Sequence, residues 1–155
     1  MNEDFRDLLA ALISSGARFL VVGAHAMAVH GVPRATGDID VWISRGDDNI
    51  DQVWRALSSF GAPLDALGIS PGDLKQPERV IQLGLPPRRI DILTDLSGLE
   101  FETAWAERLE VRLEGLSVPF LGRAALIRNK RETGRLKDLA DLEALGESTT
   151  ATGES

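Results

Sequence analysis

The chain has 155 residues, 43% hydrophobic and 26% charged, which suits one domain with its own core and leaves little room for a second. It has no cysteine and only two histidines, which excludes a disulfide scaffold, a zinc–thiolate site, a cysteine nucleophile and a histidine-rich metal site. The formal charge of −7, still acidic without the last ten residues, argues against bulk attraction to nucleic acid or anionic lipid.

The N-terminal Met1-Asn2-Glu3-Asp4 lacks the basic start of a secretory signal, and the apolar stretch 19–29 is too short to span a bilayer. A cytoplasmic protein with no membrane partner is the expectation. Phe5, Leu8, Leu9, Leu12 and Ile13 form one helical stripe, closed by Gly16. Residues 18–22 read as a buried strand ended by Gly23, and 24–30 as a short helix stopped by Gly31 and Pro33. Residues 38–43 alternate as a strand, with Asp38, Asp40 and Trp42 on one face and Ile39, Val41 and Ile43 on the other. Asp47 or Asp48 is placed to cap a helix that runs to about Phe60.

Residues 61–77 read as a long loop with room for one helical turn. Strands follow at 80–85 and 89–94 around Pro86-Pro87, then a short helix at 100–107. Residues 109–113 and 116–121 read as a hairpin turning at Glu114-Gly115, and 123–133 and 136–145 as helices broken at Gly134. The polar, low-complexity tail 146–155 is expected to be disordered. The fold class is therefore α/β (α+β), a mixed β-sheet flanked by helices in one domain over residues 1–145.

The most informative segment is Gly37-Asp38-Ile39-Asp40-Val41-Trp42. Strand residues i and i+2 share a face about 6.5–7 Å apart, so two carboxylates can converge on hard divalent cations such as Mg²⁺. Asp91 sits between Ile90 and Ile92 on a later strand and joins the pair if the two strands are neighbours. Three such carboxylates can hold two cations about 3.5–4 Å apart, an arrangement suited to phosphoryl chemistry. The alternative is a solvated polar strand face with Arg89 paired to a carboxylate.

Val21-Val22-Gly23-Ala24-His25-Ala26 is a strand, a glycine turn and a helix start, whose free N–H groups suit a phosphate. A plain strand–helix turn is the alternative. His25 and His30 read first as satisfied packing residues, with approach of His25 to a bound phosphate as the alternative. The only dense basic cluster, 130–137, offers Lys130 or Arg135 to a triphosphate; the blander reading is a solvated helix face with Lys137 paired to Asp141. Asp47-Asp48-Asn49-Ile50-Asp51 mimics the opening of a calcium loop, but Gln52 stands where the glycine is needed and Ser58 where the glutamate is needed. Asp38-Ile39-Asp40, preceded by Thr36-Gly37, opens its strand instead of ending it, unlike the Asp-x-Asp of an aspartyl phosphatase.

In order, Val22-Gly23-Ala24-His25-Ala26, Pro33 through Asp40, Pro87 through Thr94, and Asn129-Lys130 through Asp141 resemble the DNA polymerase β-like nucleotidyltransferase superfamily. The closer resemblance is to its small bacterial branch, akin to the AbiEii toxin and minimal nucleotidyltransferases, over most of residues 5–145. The resemblance implies that Asp38 and Asp40 ligate two Mg²⁺ ions, and that Asp91 completes one site and helps deprotonate the acceptor hydroxyl. It implies that Gly23 and the N–H of Ala24 touch the donor phosphates, that Lys130 neutralises triphosphate charge, and that Arg34 is a lesser candidate for that task. The superfamily turn usually reads Gly-Ser or Gly-Gly, so Ala24 removes one hydroxyl contact. The chain also lacks the larger helical domain of many members, so a homodimer or a partner subunit is expected to complete the cleft.

The reading with most support is Mg²⁺-dependent transfer of a nucleoside monophosphate from a nucleoside triphosphate to a hydroxyl on tRNA, protein or a small molecule. A toxin–antitoxin role follows from kinship alone. The alternatives are a non-catalytic, antitoxin-like binding module on the same fold, and a generic α/β domain with carboxylates as surface decoration.

Overall fold

The computed structural model describes residues 1–85 and 88–149. The Pro86-Pro87 turn and most of the expected tail, 150–155, lie outside the described residues. Six strands form one mixed sheet: β1 (Phe19–Val22), β2 (Ile39–Ile43), β3 (Val80–Leu83), β4 (Ile90–Leu93), β5 (Leu109–Leu113) and β6 (Leu116–Phe120), in the spatial order β3-β4-β2-β1-β6-β5. β1 runs antiparallel to β2 and parallel to β6, β2 runs parallel to β4, and hairpin-type antiparallel pairs β3–β4 and β5–β6 close the two sides.

The helical stripe of α1 (Glu3–Ser14) buries Phe5, Leu8, Leu9 and Leu12, and the Asn2 side chain accepts a hydrogen bond from Phe5 N at 3.0 Å to cap it. β1 is buried at every position, as expected of a central strand covered on both faces. The short helix α2 (Gly23–Val29) follows it directly. In α3 (Asp47–Phe60), Gly46 occupies the N-cap, and Asp47 and Asp48 lie in the first turn, where negative charge complements the helix dipole. Gly61 ends α3 in the left-handed conformation, φ 92°.

The predicted loop 61–77 holds two short helices, α4 (Leu64–Leu67) and α5 (Pro71–Lys75); Leu64 and Leu74 are buried, and a Ser70–Asp73 capping box starts α5. Two anchoring leucines separated by turn residues leave too short a pattern to read as helix. After β4 come α6 (Phe101–Ala106), the β5–β6 hairpin, α7 (Arg123–Thr133) and α8 (Leu136–Ala144). Residues just beyond α8 are tied back to the domain, with Glu147 N donating to Leu142 O at 2.9 Å and Arg123 paired to Glu147 at 3.1 Å.

Side chains of paired residues share a face of the sheet. One face carries Val21, Val41 and Ile92, with Phe120 beside Val21. The other carries Val22, Asp40 and Asp91, then Leu20, Trp42 and Leu93. Trp42 is buried beneath Phe101 of α6 in an edge-to-face contact with centroids 5.0 Å apart. The face that begins with carboxylates is therefore apolar one pleat further on, and its acidic part is confined to one end of the sheet. Among the described residues, no helix is long and apolar enough to cross a membrane.

Candidate active site

β2 and β4 are adjacent and parallel, and their register sets Asp40 directly beside Asp91. On its other side β2 pairs with β1, so Val22 is opposite Asp40 and the turn after β1 opens onto the same carboxylate. Gly23 makes that turn with φ 68°, a backbone conformation that costs an L-residue dearly. A β-carbon at Gly23 would also collide with Asp40 Oδ2. Glycine is thus favoured by its dihedral, and a β-carbon there would also push the Asp40 carboxylate aside. The first N–H groups of α2, which starts at Gly23, have no helical acceptor.

Asp38 precedes β2 and is held by the segment that precedes β4. Its Oδ1 accepts from Arg89 N at 2.9 Å, while Ile39 N donates to Arg89 O at 3.0 Å. The Thr36 hydroxyl accepts from Asp38 N at 3.2 Å. Asp38, Asp40 and Asp91 therefore meet at one end of two neighbouring strands.

A single guanidinium lies among them. Arg89 donates through Nε to Asp91 Oδ1 at 2.8 Å and through Nη2 to Asp91 Oδ2 at 3.1 Å, and Nη2 is 3.7 Å from Asp38 Oδ2. This bidentate grip uses both oxygens of Asp91. The Asp40 carboxyl is pushed up to about 6, first by burial and then by the charges of Asp91 and Asp38, with Arg89 only partly opposing the rise. Three carboxylates against one guanidinium leave an excess of negative charge at the strand ends. Sequence reasoning treated Arg89 only as a surface counter-ion; its i, i+2 spacing to Asp91 on one strand was the available signal.

The basic residues expected to meet a triphosphate are placed differently. Lys130 on α7 is buried, with Nζ 2.8 Å from Asp141 Oδ2 and 3.5 Å from Asp138 Oδ1. Arg34, from the segment leading to Asp38, reaches Asp141 Oδ1 at 2.6 Å. Asp141 thus joins α8 to both α7 and the approach to β2. It faces inward beside Leu142, so it does not form the solvated pair with Lys137 that i, i+4 spacing suggested. Arg135, offered as an alternative cation, grips Asp138 through Nε at 2.7 Å.

The two histidines differ. His30 Nε2 is 2.8 Å from Leu121 O, a satisfied packing contact as expected. His25 Nδ1 is buried and has no hydrogen-bond partner among the described residues.

No protein-family model matches the chain, and no curated protein matches it. Among solved structures, it is similar to a crystal structure from Thermotoga maritima described as a "putative nucleotidyltransferase". The match covers 92% of this chain and 88% of that one, with a TM-score of 0.55 and 17% sequence identity. The chain has a nucleotidyltransferase-like fold: a mixed six-stranded sheet flanked by helices.

Proposed function

We propose that this chain transfers a nucleoside monophosphate from a nucleoside triphosphate to a hydroxyl acceptor, releasing pyrophosphate. The observation that carries the reading is the register of Asp40 on Asp91, with the Gly23 turn pressed against Asp40. The likeness of the whole fold supports it.

The donor set fits Mg²⁺. It consists of hard carboxylate oxygens, and Asp40 is raised first by burial and then by the neighbouring charges of Asp91 and Asp38, which Arg89 opposes only in part. Among the described residues no three acidic or imidazole side chains enclose a cation as they stand. The Arg89 guanidinium holds Asp91 and lies 3.7 Å from Asp38 Oδ2, so in this reading a bound cation takes its place. Asp38, Asp40 and Asp91 are the proposed ligands. Bound Mg²⁺ would supply charge neutralisation at the α-phosphate and a lowered barrier for its in-line displacement.

The chain's own residues do the rest. The Gly23 and Ala24 N–H groups are the proposed donors to the phosphates. The acceptor oxygen forms a bond to the α-phosphorus, the bond to the bridging oxygen breaks, and Asp91 takes the hydroxyl proton. Lys130 and Arg34 are both paired with Asp141, which already balances part of their charge. That pairing, with Ala24 in place of a hydroxyl residue, favours a second reading as a non-catalytic binding module. Incubation with each α-³²P-labelled triphosphate and Mg²⁺, with bulk tRNA or with the protein itself as acceptor, separates the two. The proposal expects label transfer by the wild type and none by Asp40→Asn; no transfer from any triphosphate favours the second reading.

A further inference from the structure

β5 ends the sheet, so one of its sides lies beside no other strand. It runs Leu109-Glu110-Val111-Arg112-Leu113, without proline, and its register on β6 is unbroken. The turn at Glu114-Gly115, with φ 48° and 83°, closes the hairpin on the pair Leu113–Leu116, which exchanges backbone hydrogen bonds. Antiparallel pairs alternate, so Val111–Val118 and Leu109–Phe120 also exchange them, while Glu110–Pro119 and Arg112–Ser117 do not. Pro119, which has no N–H, falls opposite Glu110, where none is needed. The backbone N–H and C=O of Glu110 and Arg112 therefore point away from β6, and among the described residues no hydrogen bond reaches them. Both side chains are exposed. Leu109, on the other face of the strand, is 40% exposed.

An edge with free backbone groups is a template for another strand, and charged side chains on it repel any strand that does not match them. We infer that β5 pairs with itself: two copies of this chain join antiparallel through β5, about a twofold axis at Val111. The free backbone groups meet only in registers that set Glu110 and Arg112 against each other or against themselves. Centred on Glu110, the register opposes two glutamates; centred on Arg112, it opposes two arginines. Centred on Val111, it sets each Glu110 against Arg112 of the second copy, and that pair exchanges both backbone hydrogen bonds. Opposite charges across a ladder favour this register, and like charges disfavour the other two. It also sets Val111 against its own copy and Leu109 against Leu113, so the apolar side of the strand continues from one copy to the next. The strand is its own complement in charge, which identifies the occupant as a second copy. β3, at the other edge, carries no charged residue and so fixes no register. β6 and β1 stand between β5 and the carboxylate strands, so the inference does not depend on the proposed function.

Sedimentation velocity over a range of concentrations tests it. The wild type should show a monomer–dimer equilibrium. Glu110→Arg and Arg112→Glu each replace both opposite-charge pairs by like-charge pairs, and each alone should weaken the dimer by about tenfold or more. Mixed in equal amounts, the two variants bring opposite charges together again at both pairs, and a heterodimer should form. In a chain without cysteine, Val111→Cys should form an intermolecular disulfide on oxidation, because a non-hydrogen-bonded pair brings its Cα atoms to about 4.5 Å. Leu109→Cys, out of reach of its own copy in this register, should not. A wild type that stays monomeric overturns the inference, and so does a dimer that neither charge reversal weakens. A mixture that stays monomeric, when circular dichroism shows both variants folded, overturns it as well.

Discussion

Asp40 Oδ2 rests against Gly23 where a β-carbon would otherwise stand, so the turn after β1 and the carboxylate of β2 are shaped around each other. Gly23→Ala meets two obstacles: the left-handed backbone, worth about 1–2 kcal/mol, and the Asp40 side chain, which must move. The variant is expected to unfold at lower temperature and to lose Mg²⁺- and triphosphate-dependent stabilisation. Ala24→Ser should keep the fold and strengthen triphosphate binding by about 0.5–1.5 kcal/mol. Thermal unfolding with and without Mg²⁺ and a triphosphate checks both, and unchanged ligand stabilisation in Gly23→Ala would count against the contact.

Asp40 also predicts a pH dependence. Its folded-state pKa of about 6 lies above its ordinary value of 3.8. Between those values the folded chain holds the proton more tightly than the unfolded chain does. The metal-free protein should therefore lose stability as pH rises from about 4 to 6, and the loss should level off above that. Asp40→Asn should be more stable than the wild type at pH 7 to 8 and should gain nothing from Mg²⁺. Urea unfolding across that range measures the sign.

The Lys130 cluster acts in the opposite direction and at lower pH. Burial alone would raise the pKa of Asp138, but the hydrogen bonds from Arg135 and the charge of Lys130 outweigh it and hold the carboxyl well below its usual range. Asp141 is lowered likewise by Lys130 and Arg34, against its own burial. Stability from this cluster is present above about pH 4 and is lost as pH falls through the lowered values. Lys130→Met leaves two buried carboxylates short of a partner and should cost about 3–5 kcal/mol. Chemical denaturation of that variant should show a global loss of stability; a variant of normal stability would mean that Asp138 and Asp141 do not depend on Lys130.

Arg89 occupies the place between Asp38 and Asp91 that a cation would neutralise. Arg89→Gln should destabilise the metal-free protein and enlarge its stabilisation by Mg²⁺. A Mg²⁺ effect no larger than that of the wild type would show that the guanidinium does not compete.

Much of this site was legible because strand alternation is a local pattern. Asp40 at i+2 from Asp38, and Asp91 between two isoleucines, are legible as strand residues, while the start of β2 at Ile39, just after Asp38, and the adjacency of β2 and β4 need the structure. The partners of Asp141 were not legible. Helix spacing points to Lys137 at i−4 alone, and it takes the packing of α7 on α8 to bring Lys130 to Asp141 instead. Arg89 was hidden for a related reason: its reach to Asp38 depends on the register of two strands some fifty residues apart. The unpaired His25 Nδ1 is not legible either, since burial and hydrogen-bond partners of a single ring nitrogen leave no mark in sequence.

The most direct measurement is thermal unfolding with each nucleoside triphosphate, with Mg²⁺ and with chelator, on the wild type and Asp38→Ala. A ligand at about 100 times its Kd adds roughly 2.7 kcal/mol. In a domain of this size that raises Tm by about 5–10 °C. The carboxylate site predicts such a rise for at least one triphosphate, present only with Mg²⁺ and absent in Asp38→Ala. A rise that survives chelation, or that Asp38→Ala retains, would contradict it.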